Sequence, residues 1–89
     1  MVYRLEISHI AHRQISRLPA ATQERIDKAI IGLAENPRPF GSKKLTAREG
    51  YRVRIGDYRI LYQVDDEAKL VTIYRVMSSS INFSARKSF

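Results

Sequence analysis

The chain of 89 residues contains no cysteine, which excludes disulfides and any metal or redox site built on thiolates. It also lacks an apolar run approaching the roughly 20 residues that span a bilayer. Its first residues, MVYRLEIS, do not include the long apolar stretch of a signal peptide. We therefore expect a cytoplasmic protein without a membrane partner.

Negative charge is scarce. Nine acidic residues stand against 16 Lys and Arg, which gives a net charge of +7 and a pI of about 10.1. Such an excess in one small domain predicts a polyanionic partner, such as nucleic acid or a ribosome, or an acidic protein. Residues 38–54 carry the densest positive charge, with Glu49 as their one acid. The basic residues there are Arg38, Lys43, Lys44, Arg48, Arg52 and Arg54.

Several catalytic patterns are missing as well. The four glycines are scattered, so no glycine-rich phosphate loop is present, and no carboxylates are paired for acid–base work. His9 and His12 are three residues apart, but no acidic residue or cysteine accompanies them, and we predict no metal and no cofactor. Any catalysis would rely on Arg, Lys and Tyr. Guanidinium groups suit a phosphodiester, since they bind phosphate bidentately and stabilise charge on a pentavalent phosphorus.

The first half of the chain predicts a strand and two helices. Alternation over Val2–Ser8 is typical of a half-buried strand, and Ser8 is placed to cap a helix from His9 to Leu18. A second helix is expected from Ala20 or Thr22 to Glu35, ended by Asn36–Pro37. The expected apolar stripes are Ala11, Ile15 and Leu18 in the first helix, and Ile26, Ala29, Ile30 and Leu33 in the second.

The second half predicts an antiparallel meander. Lys43–Leu45 form a brief strand, a hairpin spans Tyr51–Val64, and a strand from Leu70 to Val76 follows an acidic, solvated turn at residues 65–68. A strand, a helical hairpin and a meander together indicate an α+β domain with helices on one face of a curved sheet. The uncovered face is then free to carry the basic residues.

The hairpin is the most informative stretch. Arg52 and Arg54 alternate with Val53 and Ile55, so the two arginines share a face. After the Gly56–Asp57 turn, Arg59 shares a face with Leu61 and Gln63, opposite Tyr58, Ile60, Tyr62 and Val64. If the arginine-bearing faces coincide, three guanidinium groups form an anion-binding surface. The alternative is that these arginines only solvate an exposed face.

Three segments carry a family resemblance: YRLEISHIAHRQISRLP at the start, ENPRPFGSKKL after the second helix, and YRVRIGDYRILYQVDDEAKLVTIYRV. Together they make residues 2–76 resemble the RelE/ParE toxins of type II toxin–antitoxin systems. The resemblance implies two N-terminal helices packed on a four-stranded, mainly antiparallel curved sheet. It also implies a cognate antitoxin and a toxin–antitoxin hetero-oligomer.

The resemblance further implies an activity. RelE-like toxins cleave mRNA in the ribosomal A site without a metal, by attack of the 2′-hydroxyl on the adjacent phosphate. Carried over residue by residue, Arg52, Arg54 and Arg59 match the catalytic basic residues, and we expect Lys43, Lys44 and Arg48 to bind RNA of the ribosome. ParE-like toxins inhibit DNA gyrase instead, but GDYRILYQV after a basic strand favours the RelE side.

The last residues depart from the RelE pattern. We expect a toxin domain over residues 1–76 and a poorly ordered tail over 77–89, MSSSINFSARKSF. Where RelE-like toxins have a His-Arg-Arg segment and then a tyrosine, this chain has Ser78–Ser80 and Phe83. Phenylalanine cannot exchange a proton, so the resemblance implies a weakened nuclease. A gyrase inhibitor, an inactive toxin that still binds antitoxin, and a free nucleic-acid-binding module are the alternatives.

Overall fold

A computed structural model describes residues 2–46 and 49–78. Arg48 and the tail residues 79–89 lie outside the described residues. Within the described part, the chain forms two helices and five strands. Their bounds are β1 Arg4–Ile7, α1 His9–Ser16, α2 Ala20–Glu35, β2 Lys43–Lys44, β3 Tyr51–Ile55, β4 Tyr58–Asp65 and β5 Leu70–Ser78.

The strands form a single mixed sheet in the order β1-β5-β4-β3-β2. β1 runs parallel to β5, and the other neighbouring pairs are antiparallel. The predicted α+β architecture is therefore confirmed, but the sheet has five strands where we expected four. The fifth strand is β2, whose Lys43 and Lys44 pair with Arg52 and Tyr51 at the edge of the hairpin. The sequence predicted a brief strand there, at Lys43–Leu45, and the count of four came from the family resemblance.

The helices begin and end where local chemistry dictates. Ser8 caps α1, because its hydroxyl oxygen accepts a hydrogen bond of 3.1 Å from the Ala11 N–H. α1 ends at Ser16, two residues before the predicted end. The Gln23 side chain donates to the Leu18 carbonyl at 2.8 Å, which satisfies an acceptor left free beyond the helix. Neither α1 nor α2 is long and apolar enough to cross a membrane.

The core lies between the helices and one face of the sheet. The predicted helical stripes supply part of it, and β3, β4 and β5 supply the rest. Its buried members are Ala11, Ile15, Ile26, Ile30, Leu33, Val53, Ile60, Tyr62, Val71, Ile73 and Val76. Tyr62 is the largest of the fully buried side chains, and its hydroxyl donates to the Pro37 carbonyl at 2.7 Å. The segment after α2 is thus tied to the centre of the sheet.

A β-bulge changes which side chains of β5 face the core. Strict alternation would place Arg75 on the same face as Val71 and Ile73. The pairing of β4 with β5 shifts between Leu61 and Tyr62, so Arg75 lies opposite Leu61 while Val76 returns to the core. β5 also continues through Ser78, into the segment that we expected to be the tail. The bulge therefore turns a fourth arginine toward the open face.

Candidate functional site

The register of the β3–β4 hairpin brings the three predicted arginines to one face of the sheet. Arg54 lies directly opposite Arg59, and Arg52 lies opposite Leu61, two residues beyond Arg59 on the same face. The intervening Val53 and Ile60 are buried on the other face. The two arginine-bearing faces therefore coincide, which is the condition for three guanidinium groups to share one surface.

Two of these arginines line an open groove of about 300 Å³, which we call the arginine groove. Its lining combines cationic groups with an apolar surface. The lining residues are Lys44, Leu45, Thr46, Arg52, Arg59, Leu61 and Met77. Arg54 is outside this set; it is exposed, and its Nε donates to the Gly56 carbonyl at 3.3 Å, toward the hairpin turn. The arginine groove thus brings together Arg52 and Arg59, with Arg54 beside them.

Arg59 has a buried hydrogen-bond donor without a partner among the described residues. Its Nε is buried, and none of the residues at 2–46 and 49–78 accepts a hydrogen bond from it. A buried donor without a partner costs about 1–3 kcal/mol. Arg54 adds a like charge directly across the strand pair, which is also unfavourable. An anion bound to Arg59 in the arginine groove would offset this like-charge repulsion, since guanidinium groups bind phosphate and carboxylate oxygens strongly.

A second groove, of about 640 Å³, is larger but has the wrong charge for a polyanion. It lies where β3 begins and β4 ends. Its charged lining residues are Arg38, Lys44, Glu49, Asp65, Asp66 and Glu67. Four carboxylates oppose two cations there, whereas the described lining of the arginine groove includes no carboxylate. Charge therefore favours the arginine groove as the site of a phosphate backbone.

We expected the acidic turn at residues 65–68 to be solvated, but one of its carboxylates takes part in an ionic network. Arg38 binds both carboxylate oxygens of Asp66, at 2.9 and 3.3 Å, and its Nε donates to the Tyr51 hydroxyl at 2.9 Å. The Tyr3 hydroxyl donates to Asp66 Oδ1 at 2.6 Å. Hydrogen bonds from Arg38 and Tyr3 lower the pKa of Asp66, and the bond to Asp66 raises the pKa of Tyr3. Arg38 is therefore neutralised, whereas Arg59 has no ion pair with any residue that the structure describes.

Asp66→Asn is expected to make stability less sensitive to acid. The folded state holds the pKa of Asp66 below its unfolded value of about 3.9. The stabilisation is fully present above that value and is lost as the pH falls through the lower, folded pKa. Urea unfolding of wild type and variant between pH 2 and pH 7 tests this. The two curves should converge below about pH 4, and Asp27→Asn on α2 should keep the wild-type slope. Parallel curves at all pH values would refute this role of Asp66.

The predicted RNA-binding lysines are both exposed on β2. Lys44 lines the arginine groove, and Lys43 lies opposite Arg52 in the strand pairing. The third predicted residue, Arg48, lies outside the described part of the chain. Among the described residues, no three His, Cys, Asp or Glu side chains are grouped so that they could hold a metal ion.

Sequence reasoning missed other residues of the site. Leu45, Thr46, Leu61 and Met77 line the arginine groove, and Arg75 shares its face. Leu61 carried a usable signal, because its alternation already placed it beside Arg59. The sequence carries no comparable sign of the bulge that reorients Arg75, since bulges depend on how two strands pair.

The chain is similar in sequence to toxins of type II toxin–antitoxin systems. A family model described as the ParE toxin of the type II toxin–antitoxin system parDE matches residues 5–83. Toxin RelE of Mycobacterium tuberculosis is 30% identical over 83 residues, which cover 91% of this chain and 86% of that protein. The mRNA interferase toxin RelE of Escherichia coli K12 is 27% identical over 78 residues, or 85% of this chain and 82% of that protein.

A solved structure shares the fold closely. The toxin–antitoxin complex RelBE2 from Mycobacterium tuberculosis contains a chain that superimposes with a TM-score of 0.78 at 28% identity. The match covers 88% of this chain and 99% of that one. The match to the family model extends through residue 83, beyond the segment at 2–76 on which the sequence resemblance was based.

Proposed function

The chain belongs to the RelE/ParE toxin superfamily of type II toxin–antitoxin systems, and we propose that it cleaves mRNA in the A site of the ribosome. The relatives named as RelE toxins and as an mRNA interferase support an endoribonuclease over other activities of the superfamily. The proposal also names the ribosome as the place of cleavage, a mechanism, and the residues that carry it out. Fold alone would not carry it, because one fold can host several activities.

The observation that carries the proposal is the unsatisfied Nε of Arg59 in a groove that also holds Arg52. Two guanidinium groups on an apolar surface, without a nearby described carboxylate, suit a phosphodiester that is partly removed from water. Lys44 extends the positive charge to the edge strand β2. We assign Arg52 and Arg59 to phosphate binding and transition-state stabilisation, and Arg54 to the approach of the mRNA strand.

The proposed reaction is a transesterification within the mRNA. The 2′-oxygen attacks the adjacent phosphorus while the bond from phosphorus to the 5′-oxygen breaks. The 2′-hydroxyl loses its proton and the departing 5′-oxygen gains one, leaving a cyclic 2′,3′-phosphate and a 5′-hydroxyl. Arg52 and Arg59 would stabilise the negative charge that grows on the phosphoryl oxygens. Guanidinium retains its proton, so these two side chains are not the base.

An antitoxin is the expected protein partner. Relatives of known structure include complexes of a toxin with its antitoxin, such as RelBE2 of Mycobacterium tuberculosis and the RelE–RelB complex of Pyrococcus horikoshii. We propose that this chain likewise forms a hetero-oligomer with a cognate antitoxin, which neutralises it. Co-expression with the protein encoded next to its gene, followed by co-purification and a growth assay, tests this pairing.

Primer extension on an mRNA in a translating extract tests the proposed activity. We expect cleavage within codons that occupy the A site when the protein is added, and an intact message when ribosomes are omitted. The 5′ fragment should end in a 2′,3′-cyclic phosphate, which blocks ligation until acid opens the ring and phosphatase then removes the resulting monophosphate. Cleavage of the same mRNA without ribosomes, or no cleavage at saturating protein, would contradict the proposal.

Restoring the RelE-like tail residues is expected to increase cleavage. Ser79→Arg adds a positive charge and Phe83→Tyr adds a hydroxyl able to exchange a proton, at positions where the family resemblance implies such groups. General acid–base catalysis is worth roughly 10²-fold at its lower end, and we expect an increase of up to about that size. Single-turnover cleavage on stalled ribosomes measures it, with Ser80→Ala/Phe83→Leu as the control. An unchanged rate would show that the tail plays no part in proton transfer.

Gyrase inhibition is the second candidate, and one observation favours it: the matching family model is described as a ParE toxin. The serine-rich tail also lacks the residues that RelE-like nuclease activity would require. A supercoiling assay with gyrase, relaxed plasmid and ATP distinguishes the two, since it contains neither ribosomes nor mRNA. Inhibition there, together with intact mRNA on ribosomes, would select the ParE-type function.

A further inference from the structure

Phe40 is the most exposed large apolar side chain of the described residues. Its relative exposure is 106%, whereas the other exposed examples, Val2, Ile7, Ile10 and Ile31, range from 41% to 66%. A single exposed hydrophobic side chain is ordinary by itself. Phe40 differs because it lies in a hydrogen-bonded turn, and because the basic residues Lys43 and Lys44 follow that turn.

A tight turn places Phe40 at its tip. The Ser42 N–H donates to the Pro39 carbonyl at 3.0 Å, which closes a four-residue turn over Phe40 and Gly41. Gly41 has a φ of 95°, the positive value that a type II turn requires at its third position. Pro39 restricts the backbone before the tip. Phe40 therefore stands at the second position of the turn, pointing away from the fold.

The turn is anchored to the rest of the molecule. The Tyr62 hydroxyl holds the Pro37 carbonyl, and the Arg38 N–H donates to Asn36 Oδ1 at 3.2 Å. The Arg38 side chain binds Asp66 and Tyr51, which fixes the segment against the end of the sheet. An aromatic side chain on such a turn loses little conformational entropy when it binds, since only its own two torsions are restricted.

The charge around the turn points to the class of partner. Lys43 and Lys44 follow the turn as β2, and both are exposed. Lys43 lies opposite Arg52, so β2 connects the Phe40 turn to the arginine groove. An exposed aromatic ring next to a cationic strand is the combination with which proteins bind single-stranded nucleic acid: cations follow the phosphates and the ring stacks on a base.

From these features we propose that Phe40 stacks on an unpaired base of the RNA to which the protein binds on the ribosome. The base supplies a flat π face, and Lys43 and Lys44 contact the adjoining phosphates. This proposal rests on the proposed ribosomal function. It adds a contact outside the arginine groove, and it assigns a role to the segment between α2 and β3.

Four substitutions at Phe40 separate stacking from plain hydrophobic contact. Phe40→Tyr and Phe40→Trp keep a π face, Phe40→Leu keeps an apolar side chain, and Phe40→Ala removes both. Stacking on a base is worth about 5- to 150-fold in affinity when the ring is lost. We expect the Ala and Leu variants to bind purified 70S ribosomes that much more weakly, and the Tyr and Trp variants to bind like wild type. Ile31→Ala, which removes an exposed apolar side chain on α2, should have no effect.

A spectroscopic test follows from the absence of tryptophan in the chain. Phe40→Trp and Ile31→Trp each introduce a single tryptophan, excited selectively over the five tyrosines, at an exposed position. A short single-stranded RNA oligonucleotide should quench the indole fluorescence of Phe40→Trp by stacking and leave that of Ile31→Trp unchanged. Anisotropy of the same RNA carrying a fluorescein label reports binding independently. RNA binding without quenching in Phe40→Trp would overturn the proposal.

The other outcomes of the Phe40 binding and cleavage assays also decide between stacking and its alternatives. Wild-type binding by Phe40→Leu together with weak binding by Phe40→Ala would indicate an apolar protein pocket instead of a base. Normal binding and cleavage by Phe40→Ala would refute stacking while leaving the proposed nuclease intact. Failure of wild type to bind ribosomes would refute both. Because Phe40 is fully exposed, thermal unfolding of all four variants should match wild type, which excludes misfolding as the cause.

Discussion

Arg59→Ala is expected to lower mRNA cleavage on translating ribosomes by about 10²–10³-fold, the usual effect of removing one preorganised donor from a developing oxyanion. Arg59 is the strongest candidate because its Nε is buried without a partner among the described residues and its side chain lines the arginine groove. Its Nε therefore has no hydrogen bond to any described residue that must be given up when the guanidinium binds phosphate. Single-turnover rates with ribosomes in excess measure the change in the chemical step.

Two further variants make the result specific. Arg59→Lys keeps the charge but loses the planar, bidentate donor set, so we expect a rate between those of wild type and Arg59→Ala. Arg13→Ala removes an exposed arginine from α1, on the opposite side of the sheet, and should leave cleavage unchanged. A loss of rate in Arg13→Ala equal to that in Arg59→Ala would mean that net charge alone matters.

The stability of Arg59→Ala distinguishes a functional residue from a structural one. Arg54 and Arg59 place like charges directly across the hairpin, and the Arg59 Nε is unsatisfied by the described residues. Both features disfavour the folded state, so their removal should leave the free energy of unfolding unchanged or raise it slightly. Lower activity without lower stability is the pattern expected when a residue is kept for its chemistry. A strongly destabilised variant would instead make Arg59 part of the framework.

The arginine face could be predicted because local patterns determine it. Alternation in β3 and β4 and a short turn fix both strands' faces, and the buried Val53 and Ile60 then fix the register. The helices were predictable for a similar reason. Their apolar stripes, the Ser8 cap and Pro37 all act within a few residues along the chain.

What could not be predicted depends on contacts between distant residues. The Arg38–Asp66 ion pair joins positions 28 residues apart. Because no local pattern indicates such a pair, the sequence predicted only a solvated turn. The bulge that turns Arg75 outward exists only because β4 and β5 pair unevenly. A brief strand at Lys43–Leu45 was predicted, but two or three residues are too short to show a period, so its pairing with β3 could not be read from the sequence. Each of these features alters the charge or shape of the grooves.

Gly50→Ala is expected to produce the largest loss of stability, roughly 3–5 kcal/mol. Gly50 has a φ of 125°, a conformation that side chains other than glycine's rarely adopt. An added Cβ would also lie 2.8 Å from the backbone carbonyl oxygen of Tyr62. That oxygen belongs to the central strand β4 and cannot move without disturbing its pairing with β3. Urea unfolding at neutral pH measures the change.

Gly32→Ala is the matched control, and it should have the opposite sign. Gly32 lies inside α2, where an added Cβ would meet no atom within 4 Å, and alanine favours a helix by about 0.5–1 kcal/mol over glycine. Equal effects of the two substitutions would contradict the close approach at Gly50. The Gly50 carbonyl also accepts the Leu45 N–H at 2.9 Å. Because Leu45 and Thr46 line the arginine groove, distortion at Gly50 should lower RNA binding even at temperatures where the variant remains folded.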